Sequence, residues 1–216
     1  MPEPLVLDGR FVRLEPLSED HVPALVEAAS EDRSAYRWAY VPEGPAEMTD
    51  YVRDALAKVA TGAQVAFATV RKGAPGGVDR VVGSTRFCEV TNWQWPPRTT
   101  QQRDGRPDVT DIGFTWLAAS AQRTPVNTEA KLLMLEHAFE TWGVHRVALR
   151  TDERNERSRA AIARIGGQLD GLIRADRPGT DDTVRTSCLF SIVAAEWPGV
   201  KARLARRLEA GLAESD

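Results

Sequence analysis

The chain has 216 residues, with 28 Lys and Arg against 31 Asp and Glu for a net charge of −3. That length supports one substantial core, and with no low-complexity linker a single domain over 1–216 is expected. The charge balance offers no basic stripe for nucleic acid, no apolar run is as long as a membrane span, and residues 1–4, Met-Pro-Glu-Pro, do not read as a secretory leader. A cytoplasmic protein acting on a small molecule or a peptide is expected. Cys88 and Cys188 fall inside strand-like apolar runs and are expected as free core thiols.

In chain order, residues 11–17 alternate apolar and polar side chains and meet Pro16, the pattern of a short strand. Ser18 then caps a helix with Val22, Leu25, Val26 and Ala29 on one face, and His21 in its first turn is expected to be exposed. Residues 31–45 carry Tyr36, Trp38 and Tyr40 among charges and close on Pro-Glu-Gly-Pro. This stretch is either a cover over the core or a substrate-facing wall, with Tyr36 and Trp38 as candidate substrate contacts. A second helix over 47–60 places Tyr51, Val52, Ala55, Leu56 and Val59 on one face and stops at Gly62. Strands over 64–70 and 80–90 follow, joined by a turn at 72–77. Helices followed by an antiparallel meander make an α+β pattern.

Residues 91–108 form a long polar insertion of the kind used as a lid or binding loop, and its Trp93 and Trp95 either fold back over the sheet edge or touch substrate. Beyond it, residues 108–167 read strand, loop, helix, strand, helix. The apolar strand 112–117 leads through the loop 122–127, Gln-Arg-Thr-Pro-Val-Asn, into a buried helix over 128–142 capped by Asn127 or Thr128. Loop N–H groups and the positive end of a helix dipole together suit an anion, here a pyrophosphate. His137 on this helix is expected to pack rather than react. A strand over 146–152 and a helix opening at Asn155-Glu156-Arg157-Ser158 and ending at Ile165-Gly166-Gly167 repeat the arrangement. Both helices thus start at the carboxyl ends of neighbouring strands, where ligands of α/β crevices bind. A strand-like exit over 167–174, a polar loop over 176–182 and a last strand over 183–193 follow. An Arg-rich amphipathic helix over 196–213, with Val200, Leu204, Leu208 and Leu212 on one face, packs on the domain or on a second subunit. No metal-ligand spacing links His21, His137 and His145, and neither a Gly-x-Ser-x-Gly elbow nor a Gly-rich dinucleotide fingerprint occurs.

The strand 111–117, the loop 122–127 with Thr128-Glu129-Ala130, the strand 146–152, and Asn155-x-x-Ser158 leading to Ile165-Gly166-Gly167 resemble, in this order and spacing, the acetyl-CoA-binding half of GNAT N-acetyltransferases. The nearest likeness is to their ribosomal-protein N-acetyltransferase-like (RimJ/RimL) branch, and it runs more weakly from Phe11 to Val193. The resemblance implies an α+β domain with its core over 10–193, built on a mixed, largely antiparallel sheet that is splayed between two central strands and flanked by helices. It also implies acetyl-CoA as co-substrate, no metal, and an acetyl group passed to a primary amine of a small molecule or a protein N-terminus. The pantetheine arm would insert between the strands 111–117 and 146–152, with a backbone N–H near Leu117 facing the thioester carbonyl.

Matching by position, Gln122, Arg123, Thr124, Val126, Asn127 and Thr128 would hold the pyrophosphate. Pro125, however, stands at the family's first loop glycine and Asn127 at its last small residue, which removes an N–H donor and adds a side chain where backbone approach is close. Asp111 stands where many relatives have a proton-accepting Glu. Being shorter by a methylene it would work through a water, and otherwise it is a strand-edge or a solvated carboxylate. Asn155 is implied to bond the pantetheine amide and also reads as an N-cap. Ser158 is placed like a serine that protonates the leaving thiolate, or is ordinary first-turn capping. Two alternatives stay open: a non-catalytic binding module whose altered loop refuses coenzyme A, and an enzyme for a longer acyl-CoA, with Arg98, Arg103 or Arg106 facing a charged acyl group. The tail helix and last strand are candidate homodimer contacts.

Overall fold

The computed structural model describes residues 5–74, 76–100 and 105–213, without the side chains of 211–213, so Pro75 of the expected turn, Arg103 and the Leu212 side chain lie outside the described residues. One sheet holds β1 (Leu7–Asp8), β2 (Val12–Pro16), β3 (Val65–Arg71), β4 (Arg80–Thr91), β5 (Val109–Leu117), β6 (Arg146–Asp152), β7 (Gln168–Pro178) and β8 (Val184–Val193), in the order β1-β2-β3-β4-β5-β6-β8-β7. Neighbours are antiparallel except β5 and β6, which run parallel. Parallel neighbours need a crossover, and here it is a helix, α3 (Pro125–Glu136).

Successive strand residues point to opposite faces, which fixes where the helices lie. Tyr51 of α2 (Gly44–Ala60) meets Ser84 and Arg86 of β4, whereas Lys131 of α3 meets Thr85 between them. The helices α1 (Val22–Ser30) and α2 therefore cover one face and α3 the other, where α5 (Trp197–Ala213) packs on α3. Phe67, Phe87, Met134, Leu135, Ile192 and Leu204 are fully buried between these layers, each contributing roughly 1.5–3 kcal/mol of burial. The tail helix is stapled to its own domain by Trp197, which stacks on Phe139 and donates its indole N–H to Glu140.

Several boundaries differ from the sequence reading for local reasons. The strand β1, too short to show periodicity, pairs with β2. His21 is not a free surface residue: its Nδ1 accepts the Ser18 N–H and its Nε2 lies 3.0 Å from Glu15, closing a capping box. The helix α2 starts three residues early because Pro45 suits a first turn. The strand β7 continues to Pro178 through bulges that hide its alternation.

The decisive local feature lies between β4 and β5. Ser84 faces Trp116 and Arg86 faces Gly113, so β5 carries an extra residue there, and Phe114 takes a φ of 50°. Such a bulge bends its strand. Accordingly β5 and β6 pair only at Val109 with Arg146, Thr110 with Val147 and Asp111 with Ala148, and then part.

Candidate active site

The split opens toward the carboxyl ends of β5 and β6. Ala118 donates its N–H to Val82 of β4 at 2.7 Å, so the preceding amide, that of Leu117, points the other way, into the opening. The Leu117 carbonyl on the same side accepts the Tyr36 hydroxyl and the Gln122 amide, each at 2.9 Å. An N–H so directed suits a developing oxyanion.

The loop after β5 differs from its sequence reading in a way that alters the weight of Pro125. The helix begins at Pro125, not Thr128, and Thr124 is its N-cap, accepting the Val126 N–H at 3.4 Å. Proline at the first helical position loses only an N–H that has no intrahelical acceptor in any case. Arg123, in a left-handed conformation at φ 61°, turns the chain just before the cap. The N–H groups of Arg123, Thr124 and Asn127 have no backbone acceptor among the described residues and sit at the positive end of the helix. Gln122 braces the loop: its N–H goes to Ala119, one hydrogen of its Nε2 to Leu117, and its Oε1 accepts Arg157, which leaves one carboxamide hydrogen toward the mouth of the split. The Val126 side chain is buried, leaving only its backbone to the site.

The helix α4 (Glu156–Arg164) follows β6. Asn155 caps it through Oδ1, which accepts the Ser158 N–H at 3.0 Å and leaves the carboxamide NH2 available. The Ser158 hydroxyl, half-buried one turn in, has no partner among the described residues. Arg157 reaches from α4 to Gln122 and to the Ala35 carbonyl at 2.6 Å, while Arg154 lies 4.1 Å over the Trp38 ring. Thr180 of the β7–β8 connection donates to the Arg37 carbonyl. Residues 33–40 are thus a strap tied across the mouth of the split, with Tyr36 and Trp38 on its inner ties.

Asp111 sits where the paired register ends, 3.2 Å from Arg150 Nε of β6. Burial pushes its carboxyl up and Arg150 opposes that. It is therefore not a freely solvated carboxylate. Trp93 and Trp95 lie at the opposite end of the same strands. The Trp93 N–H and the Trp95 indole N–H both go to Asp108, and both rings pack on His145, so they are folded back over the sheet. The structure thus gathers Leu117, residues 122–128, Asn155, Ser158, Tyr36 and Trp38 at the open end, puts Asp111 at its apex, and leaves Trp93 and Trp95 outside.

Sequence reasoning missed Arg150, Arg154 and Arg157, whose roles come from cross-strand and cross-loop partners that no local pattern reveals. It also missed Lys131 and Arg86. Both carry a signal: a cation between apolar positions, on a helix face shared with Ala130 and Met134 and in the strand run 81–88. Both cysteines are free and buried, and burial pushes the Cys88 thiol up to about 12. No cluster able to hold a metal and no helix long and apolar enough to cross a membrane occurs among the described residues.

A largely antiparallel sheet that opens between two parallel central strands, with a helix N-terminus at the mouth, is the GNAT architecture. The sequence profile of the acetyltransferase (GNAT) domain matches residues 12–168, and the chain belongs to that family. Among solved structures, a T. thermophilus chain described as an acetyltransferase is 30% identical with a TM-score of 0.75, covering 96% of this chain and 99% of that one. A GCN5-related N-acetyltransferase from Brucella melitensis is 25% identical with a TM-score of 0.77 over 96% and 86%. Mycobacterium smegmatis RimJ in complex with CoA-disulfide shares the fold at 22% identity and a TM-score of 0.70 over 94% and 91%. No curated protein sequence matches the chain.

Proposed function

We propose that the protein is an acetyl-CoA-dependent N-acetyltransferase of the RimJ/RimL-like branch, acting on a primary amine of a small molecule or a protein N-terminus. The observation that carries this reading is the split itself: three paired residues, a bulge, and an outward Leu117 amide beside a helix N-terminus. Acetyl-CoA supplies a reactive thioester, and the chain supplies position and charge. The N–H groups of Arg123, Thr124 and Asn127, with the Arg123 guanidinium, bind the diphosphate. The Leu117 N–H faces the thioester oxygen, and the free NH2 of Asn155 holds the pantetheine amide without giving up its cap. Asp111 takes the amine proton through a water, since a carboxyl raised by burial is a better proton acceptor than a solvated one. The Ser158 hydroxyl offers a proton to the departing thiolate. Tyr36 and Trp38 on the strap form the acceptor-side wall.

Titration calorimetry with acetyl-CoA, followed by thiol release across a panel of amines, tests this. Binding with thiol release on at least one primary amine is expected. No heat at high micromolar acetyl-CoA would remove the enzyme reading, and binding without turnover would leave a coenzyme A-binding module.

A further inference from the structure

The bulge that parts β5 from β6 is gripped on both faces by a buried cation, and neither cation has a carboxylate within hydrogen-bonding reach among the described residues. Below, Lys131 of α3 is 3% exposed, and its Nζ lies 2.8 Å from Thr85 Oγ1 of β4 and 2.8 Å from Thr115 Oγ1 of β5. Those two hydroxyls are 2.8 Å from each other. The three groups close a ring in which Lys131 donates to both hydroxyls and one hydroxyl donates to the other. Burial pushes the Lys131 amine down to about 7.

Above, Arg86 is fully buried, its guanidinium carbon 4.3 Å from the centres of both the Tyr51 and the Phe114 rings. Its hydrogen bonds to Gln64 and to the Tyr51 carbonyl are long, 3.3 Å each, and its Nε has no partner among the described residues. Asp54 stands 3.9 Å away. Thr85 and Arg86 are consecutive on β4, as are Phe114 and Thr115 on β5, so the two cations seize adjacent residues of the bulge from opposite sides. Phe114 meanwhile keeps a left-handed backbone that a bulky residue adopts only when its surroundings enforce it.

Buried cations without a close ion-pair partner lower stability relative to apolar side chains of the same length, so packing alone does not account for two of them at one bulge. We propose that Lys131 and Arg86 are positioning residues that clamp this bulge and thereby hold the cleft between β5 and β6 open before any ligand arrives. The functional consequence rests on the acetyl-CoA reading, whereas the clamp itself does not. With the clamp released, the segment 112–117 fluctuates and the cleft is open for only part of the time, which lowers a ligand's apparent affinity by the fraction of molecules still open.

The test compares full-length wild type with Lys131→Met, Arg86→Met and Thr115→Val, the last cutting the ring without touching α3. Melting temperature, amide hydrogen exchange of the ligand-free proteins and calorimetry with acetyl-CoA are measured. Lys131→Met is expected to melt at or above the wild-type temperature while exchange over 112–117 becomes about tenfold faster and acetyl-CoA binds about tenfold more weakly. Thr115→Val gives the same local acceleration, and Arg86→Met adds a lower melting temperature through its lost ring contacts. Unchanged exchange over 112–117 in Lys131→Met and Thr115→Val overturns the proposal, as does acceleration spread over the whole sheet in step with lost stability. If exchange responds locally while the wild type itself takes up no acetyl-CoA, the clamp stands and the acetyltransferase reading falls.

Discussion

The two ends of the β5–β6 pair are built on opposite plans. At the paired end, Asp108 is buried and bonds the Trp93 and Trp95 N–H groups, the His145 N–H goes to the Asp108 carbonyl, and three rings pack over the start of both strands. At the open end, Leu117, Tyr36, Gln122 and Arg157 meet through hydrogen bonds that span separate elements, and the Leu117 N–H is directed away from β4 into the split. One pair of strands can thus be sealed by a local polar knot at one end and pried apart by a bulge at the other. Stability is expected to concentrate where the knot is, and the proposed ligand-binding groups collect where it is missing.

This contrast makes separable predictions. Asp108→Ala should have the largest effect, a loss of about 3 kcal/mol in urea denaturation, because two part-buried N–H groups lose their hydrogen bonds to a buried carboxylate. Acetyl-CoA affinity per folded molecule should stay at wild type, and a parallel collapse of affinity would show that the two ends are not independent. Asn155→Ala should invert the pattern. It costs about 1 kcal/mol of stability through the lost cap and weakens acetyl-CoA binding by about tenfold or more. Stability loss without weaker binding would leave Asn155 as a cap alone. Next, Tyr36→Phe removes one bond to Leu117, about 1 kcal/mol, and should slow thiol release more than it lowers affinity, since it frees the strap rather than the loop.

The smallest effect concerns acid. Arg154 holds the Asp152 carboxyl below its ordinary value, so the unfolded chain binds that proton first. This contribution is present above the ordinary aspartate range and is lost as pH falls through the lowered folded value. Asp111 has the opposite sign: burial raises its carboxyl, so its contribution is present below the ordinary range and is lost as pH rises through the raised value. Stability against pH should therefore show a shallower acid limb in Arg154→Met and a steeper one in Asp111→Asn. Identical limbs in both variants would contradict the assignment of these two groups.

The order of elements from Phe11 to Val193 was legible in the sequence because periodicity, caps and punctuating Gly and Pro are local signals. The loop 122–127 was legible as the opening of a helix, yet its register was not. Pro125 looks like damage when matched to a glycine and turns out to be a first-turn residue once Thr124 is seen to cap. Trp93 and Trp95 could not be assigned from sequence because their partner, Asp108, lies more than a dozen residues on. The bulge at Phe114 was invisible for a related reason. A single extra residue is defined only against the partner strand, and the cations that hold it come from β4 and α3.

The central claim is that a ligand occupies the parted half of the pair and not the sealed half. Amide hydrogen exchange of the wild-type protein with and without saturating acetyl-CoA tests it most directly. Protection should rise over 112–117 and 149–152 and at the start of α3, while 109–111 and 146–148 stay as they were. Protection that rises only around Trp93 and Trp95, or nowhere, would contradict it.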